Sequence, residues 1–325
     1  MCGVVAVLAP FASPSYRFDL LTRLLQESTI RGADATGVAF THPETGKLVV
    51  VKDGESATTF TKTPEFRALE GILPPVVIGH TRASSRGWNK NPQGVGNPFN
   101  NQNNHPFFSQ ATGLAIVHNG LVEDDPWRRT VGKPNGILNS FDGGTDSELF
   151  LRMIETVQTR FQKSHNLSML QVLDNVAFNV AGQYVVLVVS EHAPNKVWMM
   201  RHSKDDRPLA LAYLPNESVV VMASTRDILE EALKEREYFL DFFWRDVLPD
   251  DVCINTLGDD FAAEITLLQD DPFFKFTSLP ITAADDNYSY HTKFLEEKRK
   301  AETETDEEDV EIVSNEDDAE TVIVD

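Results

Sequence analysis

The second residue of the chain is a cysteine, and it precedes a short apolar run from Gly3 to Leu8. If Met1 is removed, as the small side chain of Cys2 permits, this one residue carries both a thiol and a free α-amine. A thiol with a pKa of about 8.5 and an α-amine with a pKa of about 7.7 to 8.0 both titrate near neutral pH, so the amine can take the thiol proton at low cost. An N-terminal amine is an established activator of a nucleophile. Cys2 is therefore a candidate nucleophile that carries its own base.

A structural interpretation of Cys2 competes with the catalytic one, because cysteine often serves as a small buried apolar residue. The only other cysteine is Cys253, which lies in an apolar-looking segment and is expected to be structural. This cysteine content does not indicate a disulfide framework, and a reducing compartment is the simpler inference. The choice between the two interpretations of Cys2 depends on the rest of the chain.

Arg82 ends an apolar segment that reads Gly79-His80-Thr81-Arg82. A guanidinium that leaves a strand into a loop can offer a planar, two-pronged donor to a carboxylate. The alternative is an ordinary salt bridge, which the motif taken alone favours.

A second motif, His118-Asn119-Gly120, also follows an apolar segment. Asn-Gly is a strong signal for a hairpin turn. In a catalytic interpretation, the Asn119 amide and the Gly120 backbone N–H are two donors that converge on a developing oxyanion. His118 is expected to be structural, since the α-amine already supplies a base.

The third motif is Gly144-Thr145-Asp146-Ser147-Glu148, which predicts a helix that starts at Thr145 with Glu148 completing a capping box. Asp146 would then lie in the first turn, where the helix dipole favours a carboxylate. Its role is either helix stabilisation or binding of a substrate ammonium group.

The elements that must position these residues are predicted from apolar spacing. Helices are expected at about 17–29, 145–157, 168–178 and 225–234, and strands at about 3–8, 48–52, 76–81, 113–117, 184–189, 197–200, 209–213, 219–222 and 261–268. Strands at both ends with helices grouped between them predict an α+β fold of packed sheets and helices. The Asn-rich stretch between Arg86 and His105 has the composition of a loop.

Composition and charge exclude several classes of protein. The formal net charge is −21, but residues 301–325 contain twelve acidic and no basic residues, so the first 300 residues carry −9. This balance argues against direct binding of nucleic acid, which needs clustered cations.

The sequence shows neither the pattern of a signal peptide nor a membrane-spanning apolar run. We therefore expect a cytoplasmic protein, located in the host cell if the protein is viral. Residues 1–282 are expected to form one domain and residues 283–325 an acidic, disordered tail.

Taken together, a thiol, two oxyanion donors, an arginine for an α-carboxylate and an aspartate for an α-ammonium group describe a hydrolase of an amino-acid amide, and glutamine is the obvious substrate. The order of motifs resembles that of the class II glutamine amidotransferases, a family of N-terminal nucleophile hydrolases. The motifs are Cys2, Arg31-Gly32-x-Asp34, His80-Thr81-Arg82, Asn104-His105-Pro106, His118-Asn119-Gly120 and Thr145-Asp146. The likeness extends to the segments 197–201 and 223–226, which resemble a strand pair of the family that leads to a serine-bearing turn and a helix.

The resemblance implies a four-layer αββα sandwich and a glutaminase mechanism. Cys2 would attack the side-chain amide of glutamine, while Asn119 and Gly120 stabilise the oxyanion. Arg82 and Asp146 would bind the α-carboxylate and the α-ammonium group, with a further backbone contact from Gly120. The turn from Arg31 to Gly37 would support the N-terminal strand, and no cofactor or metal is implied.

The chain also departs from the family pattern, because Ala83 stands where the family usually has an aromatic residue after the arginine. Ser84 and Ser85 are candidate pocket residues. No signature of a synthetase domain follows the motifs, so we expect a stand-alone glutaminase that supplies ammonia to a separately encoded partner. A hydrolase of another γ-glutamyl compound or amide and a non-catalytic binding protein are the alternatives.

Overall fold

The computed structural model describes residues 1–84, 97–161, 167–202, 207–234, 239–240, 260–269 and 274–281. Cys253, Ser85 and the acidic tail lie outside the described residues. The expectations for these three, and the domain boundary at residue 282, stay predictions.

The N-terminal run forms the central strand of a seven-stranded antiparallel sheet. Its strands are β1 (Gly3–Leu8), β2 (Ala35–Thr41), β3 (Leu48–Asp53), β4 (Val76–Arg82), β9 (Ala210–Leu214), β10 (Val219–Ala223) and β11 (Phe239–Leu240). They are arranged in the order β11-β9-β10-β1-β4-β2-β3. Because β1 lies between β4 and β10, its start is adjacent to the end of β4, and Gly3 is paired with Thr81. The candidate nucleophile and Arg82 thus leave the same edge of the sheet.

A second antiparallel sheet has six strands. They are β5 (Phe107–Ser109), β6 (Leu114–Val122), β7 (Gly182–Ser190), β8 (Lys196–His202), β12 (Asp260–Leu267) and β13 (Phe274–Pro280), in the order β13-β12-β8-β7-β6-β5. Strand β6 contacts both β1 and β4 across the interface between the sheets.

Helices cover the outer faces of both sheets. They are α1 (Pro14–Glu27), α2 (Ala57–Phe60), α3 (Pro64–Arg67), α4 (Asp125–Arg128), α5 (Glu148–Phe161), α6 (Met169–Asn179) and α7 (Arg226–Leu233). Among the described residues, no helix combines the length and the apolar composition that a membrane span requires.

Three buried apolar clusters define the layers. One lies between the two sheets and includes Val4, Ile78 and Val117. The second joins α1 and α7 to the seven-stranded sheet, and the third joins α5 and α6 to the six-stranded sheet. The predicted αββα sandwich is confirmed.

Two predictions about local structure are wrong. Helix α5 begins at Glu148 rather than Thr145, because the Glu148 carboxylate accepts hydrogen bonds from the backbone N–H groups of Asp142 and Gly143 and does not close a capping box on Thr145. The segments 197–201 and 223–226 do not contain a strand pair: residues 197–201 lie in β8 of the six-stranded sheet, whereas Ala223 ends β10 of the seven-stranded sheet and is followed by Ser224 and α7.

Candidate active site

Cys2 is fixed by backbone contacts on both sides of the nucleophile. Its carbonyl oxygen accepts a hydrogen bond from Arg31 Nε at 2.8 Å, and the N–H of Val4 donates to Ser224 Oγ at 2.8 Å. Gly3 has no room for a side chain, since a Cβ atom there would lie 2.5 Å from Thr81 Oγ1. The start of β1 is therefore held by the Arg31 turn, by the end of β4 and by the serine-bearing turn before α7.

The Cys2 thiol lies 3.7 Å from the carbonyl oxygen of Ala83. Burial raises the pKa of this thiol, and the hydrogen bond to Ala83 and the positive charge of Arg82 oppose that rise, while Asp146 adds to it. A buried thiol with a raised pKa needs a base close by to become a thiolate. In the structure the Cys2 nitrogen is part of the Met1–Cys2 peptide bond, so removal of Met1 is required before it can be that base.

Met1 itself lies between two guanidinium groups. Its sulfur accepts from Arg31 at 3.6 Å and from Arg207 at 3.5 Å, and Met1 is 66% exposed. An exposed N-terminal residue is accessible to an aminopeptidase.

The turn at residues 31–34 joins Cys2 to Arg82, as the resemblance implied for a supporting element. The N–H of Asp34 donates to the Arg82 carbonyl at 2.9 Å, and an Asp34 carboxylate oxygen accepts from the N–H of Ser84 at 2.7 Å. A Cβ on Gly32 would lie 2.3 Å from the Arg82 carbonyl carbon, so only glycine permits this approach. One turn thus sets the relative position of the thiol and the guanidinium.

Arg82 is 4% exposed, and burial lowers the pKa of its guanidinium, an effect opposed by Cys2, Asp34 and Asp146. Cys2 and Asp146 thus both act on the pKa of the Arg82 guanidinium. Arg82 also donates from Nη1 to Asn104 Oδ1 at 2.7 Å. Asn104 is therefore a neutral hydrogen-bond partner of this buried guanidinium.

Asn119 and Gly120 lie within β6, with Gly120 opposite Tyr184 on β7, so the Asn-Gly pair does not form a hairpin turn. Asn119 is 1% exposed, and its Nδ2 has no hydrogen-bond partner among the described residues. A buried amide donor without a partner costs about 1–3 kcal/mol, which a ligand acceptor would recover. Gly120 has no space for a Cβ, which would lie 2.1 Å from the Gln183 carbonyl oxygen.

Asp146 is 6% exposed and accepts a hydrogen bond from the N–H of Val122 at 3.0 Å, two residues beyond Gly120. Ser147, its neighbour, bonds His118 Nδ1 at 2.8 Å. These two bonds attach the segment before α5 to β6 on either side of Asn119 and Gly120.

The segment that leads to Asp146 depends on polar side chains. Arg128 donates to the carbonyls of Gly143 and Thr145 and pairs with the buried carboxylate of Asp124 at 2.6 Å. Sequence reasoning missed the contribution of Arg128, because no local signal connects α4 to a loop fifteen residues later.

Three buried histidines lie behind the candidate site. The ring of His80 stacks on that of His105 at 3.8 Å, and His80 Nε2 donates to the His118 carbonyl at 2.9 Å. Burial lowers the pKa of His80 to about 3 and of His118 to about 4, and it holds the pKa of His105 well below its usual value. All three are therefore neutral near pH 7, and their position favours the structural role expected for His118.

Comparison with known proteins gives relatives by sequence and by structure. A glutamine–fructose-6-phosphate aminotransferase (isomerizing) of Tropheryma whipplei, strain Twist, is 26% identical over 218 residues, which are 67% of this chain and 31% of that protein. The enzyme of the same name from Aeropyrum pernix is 28% identical over 202 residues, 62% of this chain and 29% of that protein. The chain spans about a third of the length of these curated relatives. No protein-family model matches it.

Among solved structures, a glutamine phosphoribosylpyrophosphate amidotransferase from B. subtilis, complexed with ADP and GMP, matches with a TM-score of 0.55 and 18% identity, over 87% of this chain and 50% of that chain. The allosteric regulatory enzyme of purine biosynthesis matches with a TM-score of 0.55 and 19% identity, over 85% and 48% of the two chains. Identities this low establish the fold alone.

The fold is the four-layer sandwich expected of the N-terminal nucleophile hydrolase type, and it is shared with these two solved structures. The sequence relatives, which are named as glutamine-dependent aminotransferases, confirm the resemblance to the class II glutamine amidotransferases that the motifs indicated.

Proposed function

We propose that the protein hydrolyses the side-chain amide of glutamine through a thioester on Cys2, after removal of Met1. The observation that carries the proposal is the position of the Cys2 thiol, 3.7 Å from the carbonyl oxygen that follows the buried Arg82, together with the buried, unpartnered Asn119 Nδ2. The proposed carboxylate anchor, ammonium anchor and nucleophile correspond to the α-carboxylate, the α-ammonium group and the side-chain amide of glutamine. The relatives by sequence, which are named for the use of glutamine, support the same substrate.

The reaction follows from the groups present. The Cys2 α-amine takes the thiol proton, and the sulfur forms a bond to the amide carbon of glutamine. The amide oxygen becomes an oxyanion, which the unpaired Asn119 Nδ2 and the Gly120 N–H stabilise. When the intermediate collapses, the carbon–nitrogen bond breaks and the α-ammonium returns its proton, so that ammonia leaves. Water, activated by the same amine, then cleaves the thioester to glutamate.

A second substrate class is a larger γ-glutamyl compound or another amide. The specific observation in its favour is Ala83, whose carbonyl oxygen lies 3.7 Å from the Cys2 thiol at a position where the family usually has an aromatic side chain. A smaller residue beside the nucleophile leaves more room for a substituent on the amide nitrogen.

Ammonia released at Cys2 is proposed to pass to an acceptor on a separately encoded synthetase. The proteins named above carry in their names glutamine together with fructose 6-phosphate or phosphoribosyl pyrophosphate. Cys2 is a free thiol among the described residues, in keeping with the proposed location in the reducing cytoplasm. Purification of the protein from its natural source with its bound proteins tests the partner.

The proposed activity is tested by glutamate formation from glutamine. Cys2→Ala should lower the rate more than about a thousand-fold, because oxyanion stabilisation without a nucleophile gives little turnover. Cys253→Ala, the matched substitution of the only other cysteine, should leave the rate within about twofold. Equal losses in the two variants, or faster cleavage of γ-glutamyl peptides than of glutamine, would replace the proposal with a structural role for Cys2 or with the second substrate class.

A further inference from the structure

Asn104 belongs to the Asn104-His105-Pro106 motif, and the mechanism gives it no task. It is completely buried and lies beside Arg82, with Asn104 Oδ1 accepting from Arg82 Nη1 at 2.7 Å. A buried amide held this close to a guanidinium restricts the directions in which the remaining N–H groups of the arginine can point.

The orientation of the Asn104 amide is determined by its other contacts. Its Nδ2 donates to the Pro98 carbonyl at 2.5 Å and to Asn101 Oδ1 at 2.9 Å. Because both partners are acceptors, the nitrogen must face them, and the oxygen must face Arg82.

The backbone of Asn104 is anchored as firmly as its side chain. Lys52 Nζ donates to the Asn104 carbonyl at 2.7 Å and to the Pro106 carbonyl at 3.0 Å. Gly37 of β2 is paired with Lys52 of β3, and it permits residues 104–106 to lie close to the sheet. A Cβ at Gly37 would be 2.3 Å from the His105 carbonyl oxygen. Asn104 is thus a rigid acceptor attached to the seven-stranded sheet.

The chemical type of this acceptor matters. An aspartate at this position would form an ion pair with Arg82 and compete with an anionic ligand, whereas a neutral amide directs the guanidinium without adding a negative charge. Two acidic groups affect the pKa of Arg82, and each already accepts a backbone hydrogen bond. Asp34 accepts from the N–H of Ser84, and Asp146 accepts from the N–H of Val122.

We propose that Asn104 is a positioning residue that aims the Arg82 guanidinium at the α-carboxylate of the substrate and so sets the preference for α-amino acid amides over simple amides. This inference rests on the proposed function, because it assigns the α-carboxylate to Arg82. It assigns Asn104 no contact with the substrate.

The test compares two substrates that differ only in the group that Arg82 binds. Glutamine has the α-carboxylate, and 4-aminobutanamide lacks it but retains the amine and a single amide. Asn104→Ala should lower kcat/KM for glutamine about tenfold, mainly through KM, and should change kcat/KM for 4-aminobutanamide less than about twofold. The preference for glutamine then falls about tenfold.

The matched control is Asn101→Ala, which removes the bond from Asn104 Nδ2 to Asn101 and the bond from Asn101 to the Lys52 carbonyl, while the Pro98 carbonyl still orients the Asn104 amide towards Arg82. Its preference for glutamine should equal that of the unmodified protein. In an Arg82→Ala background, Asn104→Ala should give no further change in preference, since the two residues act through one contact. If Asn104→Ala does not fold, as judged by thermal unfolding, Asn104→Ser provides the same comparison.

An equal fall of kcat/KM for both amides would overturn the inference, because a purely structural role lowers both. A loss of preference in Asn101→Ala as large as that in Asn104→Ala would overturn it as well. A fully processed protein that hydrolyses neither amide would overturn the proposed function together with this inference, so the two failures are distinct.

Discussion

The two sheets each supply half of the candidate site, and they hold their residues differently. The Cys2–Arg82 half, from the seven-stranded sheet, rests on close-packed backbone, where Gly3 and Gly32 leave no space for a Cβ. The Asn119–Asp146 half, on the six-stranded sheet, rests on side-chain hydrogen bonds and on the ion pair of Arg128 with Asp124. Close packing tolerates no added volume, whereas a polar network tolerates no loss of a partner. The two halves should therefore fail under different substitutions.

Among the variants that compare the two halves, the largest effect is expected at Asn119, which tests whether the Asn119–Asp146 half takes part in chemistry. Asn119→Ala removes the buried amide donor and should lower kcat for glutamine about 100- to 1,000-fold with little change in KM, because the donor acts on the developing oxyanion. Asn119→Asp keeps the shape and lacks the donor, and it should lose at least as much. If either variant kept kcat within about twofold in steady-state assays, Asn119 would not be an oxyanion donor.

The next effect tests the polar network itself. Arg128→Ala leaves the Asp124 carboxylate, whose side chain is 1% exposed, without this partner and should lower the free energy of unfolding by about 3 kcal/mol. Because Gly143 and Thr145 lose a donor, KM for glutamine should rise roughly tenfold. Denaturant unfolding and steady-state kinetics provide the measurements.

The control for Arg128 is Arg23→Ala, which breaks an arginine–aspartate pair of the same i,i+4 spacing on the surface of α1. It should cost less than about 0.5 kcal/mol and leave KM unchanged. Similar losses from both variants would mean that the Arg128 pair has no special role in the site.

A smaller effect, in the Cys2–Arg82 half, is expected from added volume. Gly32→Ala places a Cβ 2.3 Å from the Arg82 carbonyl carbon and should lower the free energy of unfolding by about 1–3 kcal/mol, with a parallel loss of activity. Gly71→Ala is the matched control, since a Cβ there meets nothing within 4 Å. Thermal unfolding of both variants tests this prediction. Equal unfolding midpoints for Gly32→Ala and Gly71→Ala would show that the Arg31–Asp34 turn can accommodate a Cβ.

The smallest effect concerns the histidines between the halves. An unfolded histidine has a pKa of about 6.5, and burial lowers that of His118 to about 4 in the folded protein. Between these pH values the unfolded chain binds more protons, so stability is present above about pH 6.5 and is lost as pH falls towards 4.

His118→Asn should reduce this loss by at most about 1.4 kcal/mol per pH unit, measured by unfolding at several pH values. His192→Asn, at an exposed position, should leave the pH dependence unchanged. A pH dependence that His118→Asn does not alter would contradict the neutral, buried state of this ring.

Much of the fold could be predicted from apolar spacing, because most strands and helices fall close to their expected ranges. The strand Phe274–Pro280 was missed although Phe274 and Phe276 alternate with polar residues. Helix α1 starts at Pro14 rather than near residue 17, since Ser13 caps it through the N–H of Tyr16. Sheet order was beyond reach, because it depends on pairings between distant segments.

The site shows the same division between local and long-range information. The residue types of Cys2, Arg82 and Asp146 suggested their chemistry, whereas the contacts that hold them join segments far apart in the chain, such as the bond from the Val122 N–H to Asp146. The start of α5 was predicted wrongly from local rules, because the Glu148 carboxylate accepts hydrogen bonds from the N–H groups of Asp142 and Gly143 and does not cap Thr145. The contact of Asn104 with Arg82 spans 22 residues, and no local pattern indicates it.

The central claim is that Cys2 acts as nucleophile only when its own α-amine is free. The most direct test uses a chain with a lysine inserted between Met1 and Cys2, which blocks removal of the methionine. Glutamine turnover and mass spectrometry of the quenched reaction are compared between this blocked chain and the processed protein. The account predicts a γ-glutamyl adduct on the N-terminal cysteine peptide of the processed protein, and neither adduct nor turnover in the blocked chain. Glutamine hydrolysis by the blocked chain at the rate of the processed protein, or an adduct on another residue, would contradict it.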